Sequence, residues 1–487
     1  MKNCVDLLGL SGVYLSHLAH QNETTKTERF SFQCSALQNS FACGSKVLNL
    51  LICCSFFRPQ SEKTNNKKEE KYRCERSHVG HRATRVTENV KAMAQSNGSL
   101  RIALFTYSTK PRGGVIHTLS LADALHALGH HVHIFALGKD QDGFFRPVAV
   151  PYSLIPFDPL PKEMDMDEKI RRYIQSYYDF MVAYAGEPFD IYHVQDCVSA
   201  NAVWRLREEG RIESFVRTIH HVDDFTSPSL IECQNNSIYR PDHRIVVSRD
   251  WQRRLHDEFN LAAEVIYNGV DLRFQPPSAQ QRAAARAELG LGDEFAFLNI
   301  GGVEPRKNSI RLLKAFEQVQ RALAAQGRRG VLLLAGGEAL LDHEPYRTQF
   351  AAELAQSTLR LDQDIRLLGV VPDQQMPLLY HAADAFAFPS VKEGWGLVAM
   401  EALASGLPLL TSDLPVFHEY ARAGENALLA DPFDAAAIAR ALLQLATDPQ
   451  LWQRLAVAGP QTAQQFSWQA AAQTHVDWYR RWMTEQG

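Results

Sequence analysis

The chain has 487 residues, 45% of them apolar and 22% charged, with a formal net charge of -4. That is enough for two or three packed domains, and the lack of a basic excess excludes nucleic acid as an obvious partner. No stretch approaches the roughly 20 apolar residues of a membrane-crossing helix, which leaves at most peripheral membrane association through local basic pairs such as Arg253-Arg254.

Six of the eight cysteines (Cys4, Cys34, Cys43, Cys53, Cys54 and Cys74) precede Met93, and only Cys197 and Cys233 follow it. A long, cysteine-poor body suits the reducing cytoplasm, and without a C-x-x-C pair no zinc site is expected. Residues 1–92 carry the polar run Asn65-Asn66-Lys67-Lys68-Glu69-Glu70-Lys71, which cannot bury a core. They are expected to be a disordered or dispensable extension, or an upstream start-site artefact. An organelle-targeting segment is the alternative.

From Leu100 onward, apolar runs alternate with helical periodicity. Arg101–Tyr107 reads as a buried strand. Leu119, Ala122, Leu125 and Leu128 share a helical face that Gly129 ends, and Val132–Leu137 is the next strand. This βαβ unit implies a parallel sheet. Further strands are expected near Ile191–Val194, Val216–His220, Arg244–Ser248 and Val265–Tyr267. Pro276-Pro277 and the Ala/Arg/Gln-rich stretch behind it read as a linker. A second series has strands at Phe295–Ile300, Val331–Ala335, Ile365–Leu368, Ala385–Phe388 and Leu407–Thr411, with helices at Ser309–Ala324 and Leu397–Ala404. The last helix runs from Trp468 to Trp482. The expected organisation is an α/β fold of two Rossmann-like, doubly wound parallel-sheet domains, 93–275 and 276–465, followed by a terminal helix in 466–487. Ligands should bind at strand C-termini facing the cleft between the domains.

The strongest motif is Pro389-Ser390-Val391-Lys392-Glu393-Gly394-Trp395-Gly396-Leu397, leading to Glu401. Gly394 and Gly396 let a ligand approach bare backbone N–H groups, and the helix N-terminus there favours a phosphate. Glu401 lies about one to one and a half turns into that helix. One carboxylate can reach a sugar ring and the other a ribose diol. Taken singly, each is equally a solvated or capping Glu.

Directly after the strand Phe295–Ile300 comes Gly301-Gly302-Val303-Glu304-Pro305-Arg306-Lys307-Asn308. A diphosphate needs fixed cations. Arg306 offers bidentate donors and Lys307 a point charge. The bland reading is two exposed basic residues in a loop. Neither this string nor Lys110-Pro111-Arg112-Gly113-Gly114 is a P-loop or a dinucleotide fingerprint. Gly113 and Gly114 admit phosphates or an acceptor, or simply make a tight turn. His220, His221, Asp223 and Asp224 close the strand Val216–His220 and are suited to sugar hydroxyls, with a structural His pair as the competing reading. Asp165-Met166-Asp167 matches the D-x-D of metal-dependent transferases but lies in a charged segment, and reads as a solvated face.

These motifs resemble those of the retaining glycosyltransferases of family 4, which have the GT-B fold. The resemblance spans roughly residues 100–485 and none of the first 92. The E-x7-E pair Glu393 and Glu401 matches the family hallmark, and implies contacts of Glu393 with donor-sugar hydroxyls and of Glu401 with the ribose. The E-P-R-K-N string Glu304–Asn308 is similar to one bacterial-type subgroup, and implies that Arg306 and Lys307 hold the diphosphate. Many relatives place an Arg after the first Gly, where this chain has Gly302, so the resemblance supports Lys307 best. His220 falls where the family places a His on the donor sugar. His221 is its rival, and His221, Asp223 and Asp224 are the candidates for the acceptor side. Gly113, Gly114, Gly302, Gly394, Trp395, Gly396, Leu397 and Val371, the last beside the nucleobase, complete the implied donor site.

Membership further implies a hexose moved with retention from a nucleotide-diphosphate sugar, UDP and GDP being the usual bases, to an unidentified sugar, lipid or small-molecule acceptor. Front-side displacement without a metal or other cofactor would do this. The competing readings are an epimerase or hydrolase acting on nucleotide sugars, and a silent protein that only binds them.

Overall fold

The computed structural model describes residues 98–139, 143–157, 164–337 and 344–485. The expected extension, residues 1–92, lies outside the described residues.

In the first domain β1 (Arg101–Thr106), β2 (His131–Leu137), β3 (Tyr152–Ile155), β4 (Ile191–Val194), β5 (Val216–Ile219), β6 (His243–Val246) and β7 (Glu264–Val265) form one sheet, ordered β3-β2-β1-β4-β5-β6-β7. In the second, β8 (Phe295–Ile300), β9 (Gly330–Ala335), β10 (Ile365–Gly369), β11 (Ala385–Phe388), β12 (Leu409–Ser412) and β13 (Ala427–Ala430) are ordered β10-β9-β8-β11-β12-β13. Each ladder is parallel. Both sheets are therefore doubly wound, as expected. Every residue of β9 and β11 is buried, as a parallel strand covered on both faces requires.

The strand order reverses between β1 and β4, and again between β8 and β11. Such a reversal leaves a crevice at the strand C-termini, because the helices that follow the two strands pack on opposite faces. The loops leaving β8 and β11 are the two motif-bearing segments, residues 301–308 and 389–396.

Two features depart from expectation. The Ala/Arg/Gln-rich stretch is no linker but a helix, α6 (Ala279–Glu288) in chain order, after α1 (Gly113–Ala127), α2 (Met166–Ala183), α3 (Cys197–Glu208), α4 (Pro228–Tyr239) and α5 (Arg249–Phe259). Ala, Arg and Gln are strong helix formers. Ser278 and Gln281 close a capping box at its start. The helix is riveted to the second domain by Arg282 and Arg286, which both donate to Asp384 beside β11, Arg286 at 2.9 Å. The strands β3 and β13 were also not anticipated. Each sits at a sheet end and is only partly buried, unlike the equally short but fully buried β11, so neither has to carry the continuous apolar run of a strand covered on both faces.

Beyond β8 come α7 (Ser309–Ala324), α8 (Glu344–Gln356), α9 (Met376–Ala382), α10 (Leu397–Ala404), α11 (Ala435–Thr447), α12 (Pro449–Ala463) and α13 (Trp468–Glu485). The last crosses back onto the first domain. Its Ala472, Val476, Tyr479 and Trp482 share a core with Ile102, Leu119 and Leu125. The Tyr479 hydroxyl lies 2.6 Å from His193 Nδ1, and the Trp482 ring stacks on His243 at 4.4 Å. No helix among the described residues is long and apolar enough to cross a membrane.

Replacing Asp384 by Ala removes the carboxylate that Arg282 and Arg286 share at the α6–β11 junction and leaves them on backbone carbonyls, and it also strips the Ala296 N–H of this acceptor. The expected cost is about 3 kcal/mol of unfolding free energy, read by urea denaturation. A loss under about 1 kcal/mol would place the pair among weak surface bridges.

Candidate functional site

The segment after β8 turns on two glycines. Gly301 has φ +147°, and a Cβ there would fall 2.7 Å from Lys307 Cε. Gly302 has φ +75°, and its Cβ would fall 2.7 Å from the Gly337 carbonyl oxygen. Bare backbone at Gly301 is thus what lets the Lys307 stem lie back across the turn. Asn308, in the left-handed region at φ 62°, ends the segment and donates from its side chain to the Pro389 and Pro432 carbonyls at 2.9 and 2.6 Å. That ties the first motif to the second.

At the centre one carboxylate oxygen serves two cations. Glu393 Oε1 lies 2.7 Å from Lys307 Nζ and 2.8 Å from Arg306 Nη1. Arg306 also pairs with Glu304 at 3.1 Å, and the Lys307 ammonium sits 4.5 Å from the centre of the Phe388 ring. Glu393 and Lys307 are each only 8% exposed. Burial alone would raise the Glu393 carboxyl, but Arg306 and Lys307 outweigh it and pull the group down to about 2. Burial, with Arg306 adjacent, pushes the Lys307 ammonium below the usual lysine range against the pull of Glu393. Arg306 and Lys307 are therefore not the loosely exposed loop pair that the bland reading allowed.

Glu401 has a different environment. It is 8% exposed on α10 and accepts from the Tyr380 hydroxyl at 2.6 Å. Burial raises its carboxyl to about 7, and Asp373 and Asp271 add to the rise, while the Tyr380 bond and the Arg273 charge oppose it. Arg273 is held by Asp373, Nη2 to Oδ1 at 2.7 Å.

From the first domain, the residues after β5 reach the same place. A Cβ on Gly394 would fall 1.9 Å from the His220 carbonyl oxygen, so only glycine fits where the two domains touch. The His220 ring packs edge-on to His117 at 4.7 Å, and its Nε2 lies 3.2 Å from Gln195 Oε1. Burial, with His117 and Arg217 nearby, keeps this imidazole neutral. Gly114 lies under the ring, its Cβ position 3.6 Å from His220 Cδ2, and Gly113 beside it has open space. His221 pairs with Asp223 at 3.1 Å. Burial would raise the Asp223 carboxyl, but the His221 bond and the Arg306 and Lys392 charges hold it below the ordinary range. Asp224 is bound by Lys392 at 2.9 Å.

Of the other expected residues, Gly396 (φ +90°) starts α10, and Leu397 is its first residue. Trp395 is 2% exposed, its ring packed among Tyr267, Tyr420 and Phe466 at 4.9 to 5.1 Å. Its side chain belongs to the core, and only its backbone borders the loop. Val371 follows β10 and packs half-buried against the same core. Asp167 of the D-x-D match accepts from Ser227 and from the Ser229 N–H at 3.3 Å, so it anchors the start of α4. Sequence reasoning missed Tyr380, Arg273, Trp251 and Glu419, whose roles arise from contacts far apart in the chain.

The family model described as glycosyl transferases group 1 matches residues 281–462, and that described as Glycosyltransferase Family 4 matches residues 111–274. A D-inositol 3-phosphate glycosyltransferase of Saccharomonospora viridis is 31% identical over 316 residues, 61% of this chain and 70% of that protein. Among solved structures, a sucrose-phosphate synthase from Thermosynechococcus elongatus matches with TM-score 0.65 at 24% identity, over 79% of this chain and 100% of that one. Anabaena HepE in complex with UDP and glucose matches with TM-score 0.63 at 18% identity, over 78% of this chain and 98% of that one. These two structural likenesses are likenesses of fold.

The two glutamates carry opposite pH signatures. Glu401, raised to about 7, binds its proton more tightly folded than unfolded. Stability therefore falls as pH rises from the unfolded carboxyl range through about 7. Glu401→Gln is expected to stabilise the chain by about 2–3 kcal/mol at pH 8 and hardly at pH 5. Glu393, lowered to about 2, contributes stability above the unfolded carboxyl range that is lost as pH falls towards 2. Glu393→Gln should therefore destabilise at pH 7. Thermal melts at the two pH values read both signs, and an equal effect of Glu401→Gln at pH 5 and 8 would contradict the first.

Proposed function

The chain belongs to the GT-B glycosyltransferases built from group 1 and family 4 domains, and from that premise we propose that it moves a hexose, with retention, from a nucleotide-diphosphate sugar held on Arg306, Lys307, Glu393 and Glu401. The single observation that carries this reading is a pair of cations, Lys307 buried and Arg306 partly so, meeting one buried carboxylate at the crevice between β8 and β11. Arg306 and Lys307 offer a diphosphate the charge it needs, and the first-turn N–H groups of α10 add to it. With these groups in place we infer metal-independent chemistry, the departing diphosphate being stabilised by fixed donors.

Donor binding is then an exchange of partners. Glu393 Oε1 occupies both cations in this structure. A diphosphate competes for them, and the displaced carboxylate becomes available to the hydroxyls of the sugar that arrives with it. Glu401, paired with Tyr380 and capable of keeping or losing its proton near neutrality, is suited to a ribose diol. His220, neutral by burial, presents an uncharged imidazole to the sugar, and Asp223 with His221 faces the acceptor side. The solved relative with UDP and glucose supports UDP as the first base to try, with GDP next. Domain contact around Gly394 would exclude water and limit donor hydrolysis.

Thermal shift with UDP, GDP and their sugars, without added metal, is the decisive panel. One nucleotide diphosphate should raise the midpoint by mass action, and Lys307→Ala or Glu401→Ala should abolish the rise. No shift with any of them would overturn the reading. The exchange adds a sharper expectation. Glu393→Gln should bind that nucleotide diphosphate about 10-fold more tightly while transfer falls about 100-fold or more. Weaker nucleotide binding by Glu393→Gln would contradict it.

A further inference from the structure

The segment that bears Glu393 is gripped by the first domain at three successive residues. Lys392 Nζ reaches Asp224 at 2.9 Å. The carbonyl of Glu393 accepts from Trp251 Nε1, also at 2.9 Å. Gly394 lies so close to the His220 carbonyl that no Cβ fits. The middle contact differs in kind from the other two. Lys392–Asp224 is largely exposed, the Asp224 side chain being 89% accessible, and such a pair holds position weakly. Trp251 is 1% exposed, and its indole N–H has this carbonyl as its acceptor in a buried setting where an unmade bond is costly.

Trp251 sits in the first turn of α5, and the second domain also holds the start of that helix. Glu419 accepts from the backbone N–H groups of Arg249 and Asp250, each at 3.0 Å, one per carboxylate oxygen. These are N–H groups at the head of a helix, which have no partner within it. Ser248 caps the same turn by accepting from the Trp251 N–H at 3.3 Å. The helix is thus docked on the second domain by its head, and its third residue delivers a donor to the backbone of Glu393.

We propose that Trp251 is a positioning residue that couples the docking of α5 to the placement of the Glu393 carboxylate. The inference rests on the glycosyltransferase reading for its catalytic consequence, but the mechanical link stands on the geometry alone. Glu393 must leave two cations and meet a sugar hydroxyl. A carbonyl held from the opposite domain limits where its side chain can go once released. When α5 is undocked, the segment 392–396 loses that restraint, while Arg306 keeps Glu304, Lys307 keeps its place on the Phe388 ring and Glu401 keeps Tyr380, none of which touches α5. Nucleotide-diphosphate affinity and turnover should therefore respond differently to the same lesion.

Two variants of the full chain test this. Trp251→Phe keeps an aromatic ring and removes the N–H. Glu419→Gln keeps the volume and weakens the helix-head contact without touching the segment 392–396. Hydrogen exchange of the amides in 392–396 is the first readout, and both variants should exchange about 10-fold faster there than the unaltered chain. Turnover of UDP-glucose and of GDP-mannose, run in parallel, should fall about 10- to 100-fold, with calorimetric affinity for UDP or GDP changed less than about 3-fold. If Trp251→Phe fails to fold, Glu419→Gln carries the test. Unaltered exchange at 392–396 in Glu419→Gln, or a loss of nucleotide affinity in step with turnover, overturns the proposal. Should the unaltered chain neither bind UDP or GDP nor turn over either sugar, the transferase reading fails. Faster exchange in both variants then still upholds the link between α5 and Glu393.

Discussion

A buried carboxylate shared by two cations, Lys307 buried and Arg306 partly so, draws together the two loops that leave β8 and β11. Lys307 cannot leave water without an opposite charge, and Arg306, partly withdrawn beside it, needs one too. Glu393 supplies the charge to both through one oxygen. To bring it there, two consecutive glycines must follow β8, Asn308 must accept a left-handed backbone, and β11 must end one strand away. An ion pair of this kind is weak evidence for stability and stronger evidence for a site. Replacing it with apolar residues would fill the same space more cheaply. What is retained instead is a pair of cations aimed into a crevice and masked by a carboxylate that another anion can displace.

The doubly wound topology explains why this constellation lies where it does. Helices on opposite faces diverge at the β8–β11 boundary, and the two loops leaving those strands meet across the gap. The first domain repeats the arrangement, with its own reversal between β1 and β4 bearing Gly114 and Gln195 beside His220. Two crevices then face one another across contacts at Gly394, Trp251 and Asp224. The terminal helix α13 ties the far end of the chain back to the first sheet, so the domains are joined both at residues 268–277 and through this helix.

Much of this was legible in the amino-acid order. Strands such as Phe295–Ile300 and Ala385–Phe388, buried at nearly every residue, and the helices Ser309–Ala324 and Leu397–Ala404 have the bounds that the apolar pattern assigns. The motif residues Arg306, Lys307 and Glu393 converge because they lie at consecutive strand ends of one switch point, a placement topology dictates. Illegible features depend on distance along the chain. Tyr380 meets Glu401 across 21 residues, and Trp251 meets Glu393 across 142. No local pattern marks either. The α6 stretch differs from expectation for the opposite reason: its composition is helix-forming, but Pro276-Pro277 mark a boundary directly before the capping box of Ser278 and Gln281 that starts the helix.

The central claim is that Glu393 trades places with a diphosphate. A crystal structure of the chain with UDP or GDP, whichever it binds, tests this most directly. Phosphate oxygens are expected within hydrogen-bonding distance of Arg306 and Lys307, the Glu393 carboxylate withdrawn from both, and the ribose beside Glu401. A nucleotide seated elsewhere, or one bound while Glu393 still bridges the two cations, would contradict it.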